Sequence, residues 1–180
     1  MKEVKIFARA GQGAITTAAI LGEAFFFQEI YAYAFPSFGA ARMGAPMNAF
    51  LRFDTKPVRL RSQIYNPDYV IVIDPTLIKS EKCFSGMKKG GVAMVAIRND
   101  SDIEEKPKGI TLVKILAEKI ALETIGKPFT NTVLLGAFAK ISGDVSLDSI
   151  NKAVRGRFAA KPEVLEKNIE AIKRGYEAVA

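Results

Sequence analysis

The residues best suited to chemistry are Arg9, Gly11, Gln12 and Gly13, packed into one short stretch, Arg9-Ala10-Gly11-Gln12-Gly13. Before them runs an apolar segment, Val4–Ala8; after them Ile15, Ala18, Ala19, Gly22 and Phe26 recur at helical spacing. A strand that turns through glycine into a helix aims the helix's free N–H groups and positive end at one point, where an anion binds well. Gly11 and Gly13 reach backbone angles closed to other residues and let a ligand or a second backbone come close. The turn is not a dinucleotide fingerprint. Thr16 holds the third glycine slot counted from Gly11, and no acidic residue ends a second strand at the usual distance. An ordinary strand-to-helix turn is the plain alternative.

What is missing narrows the chemistry further. The chain has no histidine, so the commonest general base and transition-metal ligand are absent. A Ser-His-Asp hydrolase cannot be built from it. Its one cysteine, Cys83, excludes a disulfide framework and an all-cysteine iron–sulfur cluster within the chain. Cys83 reads as a small buried hydrophobe. The formal net charge of +7 fits nucleic acid, a phosphate-bearing ligand or an acidic protein surface. The basic residues are scattered, without a nucleic-acid motif, so direct nucleic-acid binding is not expected. The 180 residues, 49% of them hydrophobic, suffice for one folded domain. No signal peptide opens the sequence, and Glu23, Gln28 and Glu29 interrupt the longest apolar stretch, Ala14–Phe35. No membrane span and a cytoplasmic location are the expectations.

The elements that must position the turn follow from pattern. Tyr31–Asn48 mixes Gly, Pro and Ala with Tyr31, Tyr33, Phe35 and Phe38 and is expected to be a long loop, its aromatics packed on the domain or on a partner. Met47–Phe53 alternates, Asp54–Pro57 turns, and Val58–Arg61 alternates again, so an edge hairpin is expected there. Arg52, Arg59 and Arg61 on it are solvated by default; an acidic partner is the alternative. Tyr69–Ile73 and Gly90–Ile97 read as buried parallel strands. Asp74 with Pro75 starts a helix to about Phe84. Asn99–Gly109 reads as a loop. Leu112–Ile125 reads as a helix, followed by helices over Thr132–Ser142 capped by Asn131, Leu147–Arg157 capped by Ser146, and from Pro162 to about Val179. The fold class is α/β: a three-layer α/β/α domain on a mainly parallel sheet, with an edge hairpin and a helical C-terminal half. Ligands of such sheets bind beyond the strand carboxyl ends, where Arg9–Gly13 and Asp74 both fall.

Four stretches in order resemble the gamma subunit of 2-oxoacid:ferredoxin oxidoreductases. Arg9–Gly13 with Thr16 resembles the family turn G-R-G-G-Q-G-x-x-T. Phe35–Pro46 resembles its loop F-P-S-F-G-x-E-R-R-G-A-P. Arg59–Leu77, RLRSQIYNPDYVIVIDPTL, and Asn131–Phe138, NTVLLGAF, match later pieces, and Asn168–Gly175 fits the closing helix. The family's glycines beside the arginine are Ala8 and Ala10 here, and its loop acid and second arginine are Ala41 and Met43.

The resemblance implies one gamma-type domain over 1–180. It also implies a subunit of an enzyme that converts a 2-oxoacid, coenzyme A and oxidised ferredoxin into acyl-coenzyme A, carbon dioxide and reduced ferredoxin. Pyruvate is the favoured 2-oxoacid over 2-oxoisovalerate. Thiamine diphosphate and iron–sulfur clusters are implied to sit in alpha, beta and delta partners, with this chain contributing assembly and coenzyme A positioning rather than catalytic residues. Arg9, Gly11, Gln12, Gly13 and Arg42 are the implied ligand contacts, through guanidinium and turn N–H groups meeting phosphate. The competing reading from another class is a free-standing nucleotide- or coenzyme A-binding domain. An isolated subunit exposes apolar surface, so self-association as a homodimer is an expectation.

Overall fold

The computed structural model describes residues 1–37, 42–99, 102–103 and 107–179. Six strands form one sheet in the order β2-β3-β1-β4-β5-β6. Strand β1 (Lys2–Arg9) lies at its heart, antiparallel to β3 (Pro46–Asp54) and parallel to β4 (Tyr69–Val72). Strands β5 (Val92–Ala96) and β6 (Thr111–Ile115) extend the parallel side. β4 is buried along its whole length, as a continuous apolar run with both faces covered must be. The parallel register Ile6↔Ile71 and Phe7↔Val72 brings the ends of β1 and β4 side by side, and with them Arg9 and Asp74.

Helices crowd one face. α1 (Ala14–Phe26), α3 (Ala117–Thr124), α4 (Thr130–Ser142), α5 (Leu147–Phe158) and α6 (Pro162–Glu177) all contribute to the core that Val4, Ile6, Ala8 and Ile71 face. Phe25 stacks on Phe53 within it, ring centroids 4.0 Å apart. The opposite face carries Phe7, Val70, Val72, Ala93 and Val95. It is closed by the single-turn helix α2 (Leu77–Ser80), Cys83, Ile97 and Ile103. The three expected layers are therefore of unequal thickness. The helical C-terminal half and an edge hairpin are present.

Several elements differ from expectation, each for a physical reason. Tyr31–Asn48 is not a long loop. Tyr31–Ser37 is strand β2, paired antiparallel with β3 from Tyr31↔Asp54 to Ser37↔Asn48. The alternation Tyr-Ala-Tyr-Ala-Phe has the period of a strand, and Pro36 is tolerated because β2 is the sheet edge. Two of its aromatics pack on the sheet, Tyr33 against Phe35 and Phe35 against Phe50, both at 5.1 Å, while Tyr31 stays exposed. Phe38 and the centre of the Phe35–Pro46 motif, residues 38–41, lie outside the described residues, as does part of the Asn99–Gly109 loop. The hairpin is thus β2–β3, and Val58–Arg61 is irregular chain. Thr111–Ile115 is a strand rather than the start of a helix. Val113, Leu116 and Ile120 fall at helical spacing by coincidence, and β-branched Thr111, Val113 and Ile115 favour the sheet. Within α1 the buried residues are Ala14, Thr17, Ala18, Ile20, Leu21, Ala24 and Phe25, leaving Ile15 and Phe26 outside.

Two glycines set the closest helix contact. A Cβ on Gly136 of α4 would fall far inside contact distance of the Ile172 carbonyl, and one on Gly175 of α6 inside that of Val133. Backbone meets backbone here, so no side chain can yield. Gly136→Ala is expected to cost about 2 kcal/mol or more by overpacking, against a helix-propensity gain of about 1 kcal/mol. Denaturant unfolding checks this; unchanged stability would mean that α4 and α6 stand farther apart.

Candidate functional site

The turn between β1 and α1 is held by its neighbours. Gly11 has φ +100° and Gly13 φ +89°, both in the region that side chains avoid. Side chains stand close to both positions. A Cβ on Gly11 would stand 2.7 Å from Met43 Sδ, and one on Gly13 2.8 Å from Asn131 Nδ2. Asn131 is therefore not the cap of α4, as its position suggested; it lies inside that helix, against the turn. The Gln12 carboxamide closes the turn on itself. Its Oε1 accepts from the Arg9 N–H (2.7 Å), and its Nε2 donates to Asp74 Oδ2 (2.8 Å).

Asp74 is the hub. It is buried, and its Oδ1 accepts from the Thr76 N–H (3.0 Å) and hydroxyl (2.6 Å). Asp74 and Pro75 thus form an Asx-type turn before α2 rather than the cap of a long helix, which shortens α2 to one turn. Arg9 Nε lies 3.2 Å from Asp74 Oδ2, while its other nitrogens donate to Thr76 Oγ1 (2.9 Å) and the Gly44 carbonyl (3.2 Å). Burial alone would raise the Asp74 carboxyl. The Thr76 and Gln12 hydrogen bonds and the Arg9 charge outweigh it and hold the group below the usual carboxylate range.

The structure brings four of the five expected site residues, Arg9, Gly11, Gln12 and Gly13, into one cluster. Arg42 is exposed and makes no side-chain hydrogen bond or ion pair with them among the described residues; its carbonyl accepts from the Ala45 N–H at 2.9 Å. The Arg9 guanidinium is engaged inward, so it clamps the turn.

Two clefts open on either side of Gly11 and Gln12, with Phe129 between them. One, of about 330 Å³, is lined by Asp74, Ala96, Arg98, Glu118 and Phe129 at the strand carboxyl ends. The other, of about 470 Å³, runs between the turn and the C-terminal helices and carries Lys127, Asn131, Thr132, Lys167 and Asn168. Asn168 is fixed there: it accepts from Thr132 Oγ1 at 2.9 Å and donates to the Val164 carbonyl at 2.7 Å. The first N–H groups of α1 have no partner within the helix, and Gly13 borders this second cleft. Sequence reasoning missed these helix residues. Only the Asn131–Phe138 motif hinted at them, because the approach of α4 and α6 to the turn is a tertiary event.

The arrangement can hold a ligand but offers no acid–base pair or activated nucleophile. Cys83 is buried and its thiol is pushed up to about 12, chiefly by burial. One such thiol does not fit an iron–sulfur cluster. Among the described residues no group of three or more His, Cys, Asp or Glu side chains is placed to hold a metal ion.

Residues 3–178 match the family described as pyruvate ferredoxin/flavodoxin oxidoreductase. The chain is 45% identical to the pyruvate synthase subunit PorC of Methanothermobacter thermautotrophicus, over 99% of this chain and 96% of that one. It is 42% identical to the pyruvate/ketoisovalerate oxidoreductases common subunit gamma of Pyrococcus abyssi, over 98% and 96%. The crystal structure of the pyruvate oxidoreductase subunit PorC of Thermotoga maritima superposes with a TM-score of 0.86 at 36% identity, covering 99% of this chain and 97% of that one.

Asp74→Asn sets an amide donor against Gln12 and Arg9. At pH 7 it is expected to cost about 1.5–3 kcal/mol, the range for hydrogen bonds to a charged group. A carboxyl depressed in the fold stabilises fully above its unfolded pKa of about 3.9 and loses that contribution as pH falls through the folded value. The gap between the two proteins in denaturant melts should therefore be full at pH 7 and close below about pH 4. A gap independent of pH would contradict the ion pair.

Proposed function

The chain belongs to the pyruvate ferredoxin/flavodoxin oxidoreductase family and is of its gamma type, and from that premise we propose its place in the reaction. It works inside an oxidoreductase with alpha, beta and delta partners that converts pyruvate, coenzyme A and oxidised ferredoxin into acetyl-coenzyme A, carbon dioxide and reduced ferredoxin. The observation that supports this most is the near full-length match to gamma-type relatives in a chain without histidine and with one buried thiol. Thiamine diphosphate and the iron–sulfur clusters then belong to the partners, with electrons reaching ferredoxin through them. A 2-oxoisovalerate-type reaction is the second reading, favoured by the relative named for both substrates. No helix among the described residues is long and apolar enough to cross a membrane, and we place the complex in the cytoplasm.

The contribution of this chain is twofold in this reading. It docks the partners as a single domain over 1–180, and it borders the path of coenzyme A at the turn. The free N–H groups of α1, the Gly11–Gly13 backbone and Gln12 meet a phosphate or pantetheine segment, Arg9 keeps the turn in shape, and the exposed Arg42 reaches phosphate from the loop side. Without partners, exposed Phe26, Phe27 and Tyr31 favour self-association.

Two outcomes test this. The purified chain alone turns over no pyruvate, and turnover with ferredoxin as acceptor appears once the partner subunits are supplied; turnover by the chain alone contradicts it. In the assembled enzyme, Arg42→Ala raises KM for coenzyme A about fivefold, the factor that about 1 kcal/mol of lost phosphate contact gives, and leaves KM for pyruvate in place. Unchanged coenzyme A kinetics would remove Arg42 from the path.

A further inference from the structure

Arg52 was expected to be solvated, and it is the opposite: 1% exposed, on the sheet face that the long helices leave free. Its Nε pairs with Glu3 Oε1 at 2.8 Å. Three further donors go to carbonyls of the irregular segment that follows β3: Leu60 (3.3 Å), Ser62 (2.6 Å) and Gln63 (3.2 Å). Buried arginine is found with full hydrogen bonding because stripping its hydration is otherwise costly. Here that requirement shapes the outside of the molecule. The segment turns its carbonyls down onto the guanidinium. Among the described residues, no backbone N–H from Val58 to Ile64 meets a protein acceptor.

The strap is consequently electropositive. Among the described residues it carries backbone N–H groups without protein partners, together with the exposed side chains of Arg59 and Arg61. Among the described residues neither arginine has a carboxylate at ion-pair distance, and Glu3, which lies beneath, is committed to Arg52 and Lys88. Arg61 is held in place, its guanidinium 3.6 Å from the centroid of the Tyr33 ring. Between and beside these charges stand exposed Leu60 and Tyr65, the latter at 71%. Fixed donors, uncompensated guanidinium groups and interspersed apolar side chains match carboxylates carried on a polypeptide, whose side chains cover the leucine and tyrosine while the acids meet the arginines. A nucleic-acid backbone would leave the apolar groups uncovered.

We propose that the strap over residues 58–63, held in shape by Arg52 as a positioning residue, receives an acidic segment of a partner subunit. The proposal rests on the reading of the chain as a subunit of an assembled oxidoreductase.

The test co-produces the chain with its alpha, beta and delta partners and measures assembly by size-exclusion chromatography and binding of the chain to the preformed partner complex at several salt concentrations. The double variant Arg59→Glu, Arg61→Glu should bind about tenfold more weakly or worse, with a flatter salt dependence, because it reverses charges that steer and seat the partner. Its thermal unfolding as an isolated chain should match the unaltered protein. The control Lys152→Glu, Lys173→Glu, on the helical side, should bind within about twofold of it. Equal binding of the arginine variant overturns the strap as a docking surface and leaves the subunit reading intact. Failure of the unaltered chain to bind the partners overturns the subunit reading itself. A third result, tight binding of duplex DNA or phosphatidylserine vesicles lost in the arginine variant while assembly is untouched, overturns the proposal in favour of a phosphate partner.

Discussion

One buried carboxylate organises the carboxyl end of this sheet. Asp74 sits where β4 ends, and everything around it is a donor: the Thr76 amide and hydroxyl, the Gln12 amide and the Arg9 guanidinium. A charge that deep is stable only when fully bonded. The bonds it requires draw in the end of β1, the glycine turn, the start of α2 and, through the Arg9 contact with Gly44, the loop before β3. The geometry of the turn is thus imposed from outside it. Gly11 and Gly13 supply the backbone angles, but Asp74 supplies the reason for adopting them.

A second buried charge does the same for the other half of the sheet. Arg52 takes Glu3 from the neighbouring strand and three carbonyls from the chain beyond β3. On the face the long helices leave free, a smaller apolar cluster covers β4 and β5, and this arginine holds the part beside β3. The chain accordingly presents one side built by helix packing, down to the backbone contact at Gly136 and Gly175. The other side combines a smaller apolar cluster with the hydrogen bonds of Arg52 to the strap.

How much of this could be read from residue order depends on the range of the force involved. β1, the glycine turn and α1 are local and were legible, as were β4 and β5, whose unbroken apolar runs admit little else. The Ser146 cap of α5 was legible too, with the Ser149 N–H bonded to its hydroxyl at 3.1 Å. β2 was hidden because Pro36 normally breaks a strand and only an edge position excuses it. β6 was hidden because apolar spacing there satisfies two periods, and the choice falls to pairing with β5. Arg52 looked like surface because nothing in an irregular strap announces what it covers. The candidate site was half visible. The residues of the turn were named, but Asp74 as its anchor and the α4 and α6 side chains lining the second cleft come from parallel pairing and helix docking between distant parts of the chain.

In the proposed function, this chain's specific affinity is for its partner polypeptides, and the glycine turn serves the assembled enzyme rather than a free dinucleotide. Titration calorimetry of the isolated chain addresses it directly. The account predicts heat of binding with the alpha, beta and delta subunits and none with NAD. Saturable binding of NAD in the micromolar range, with no heat on adding the partners, would contradict it.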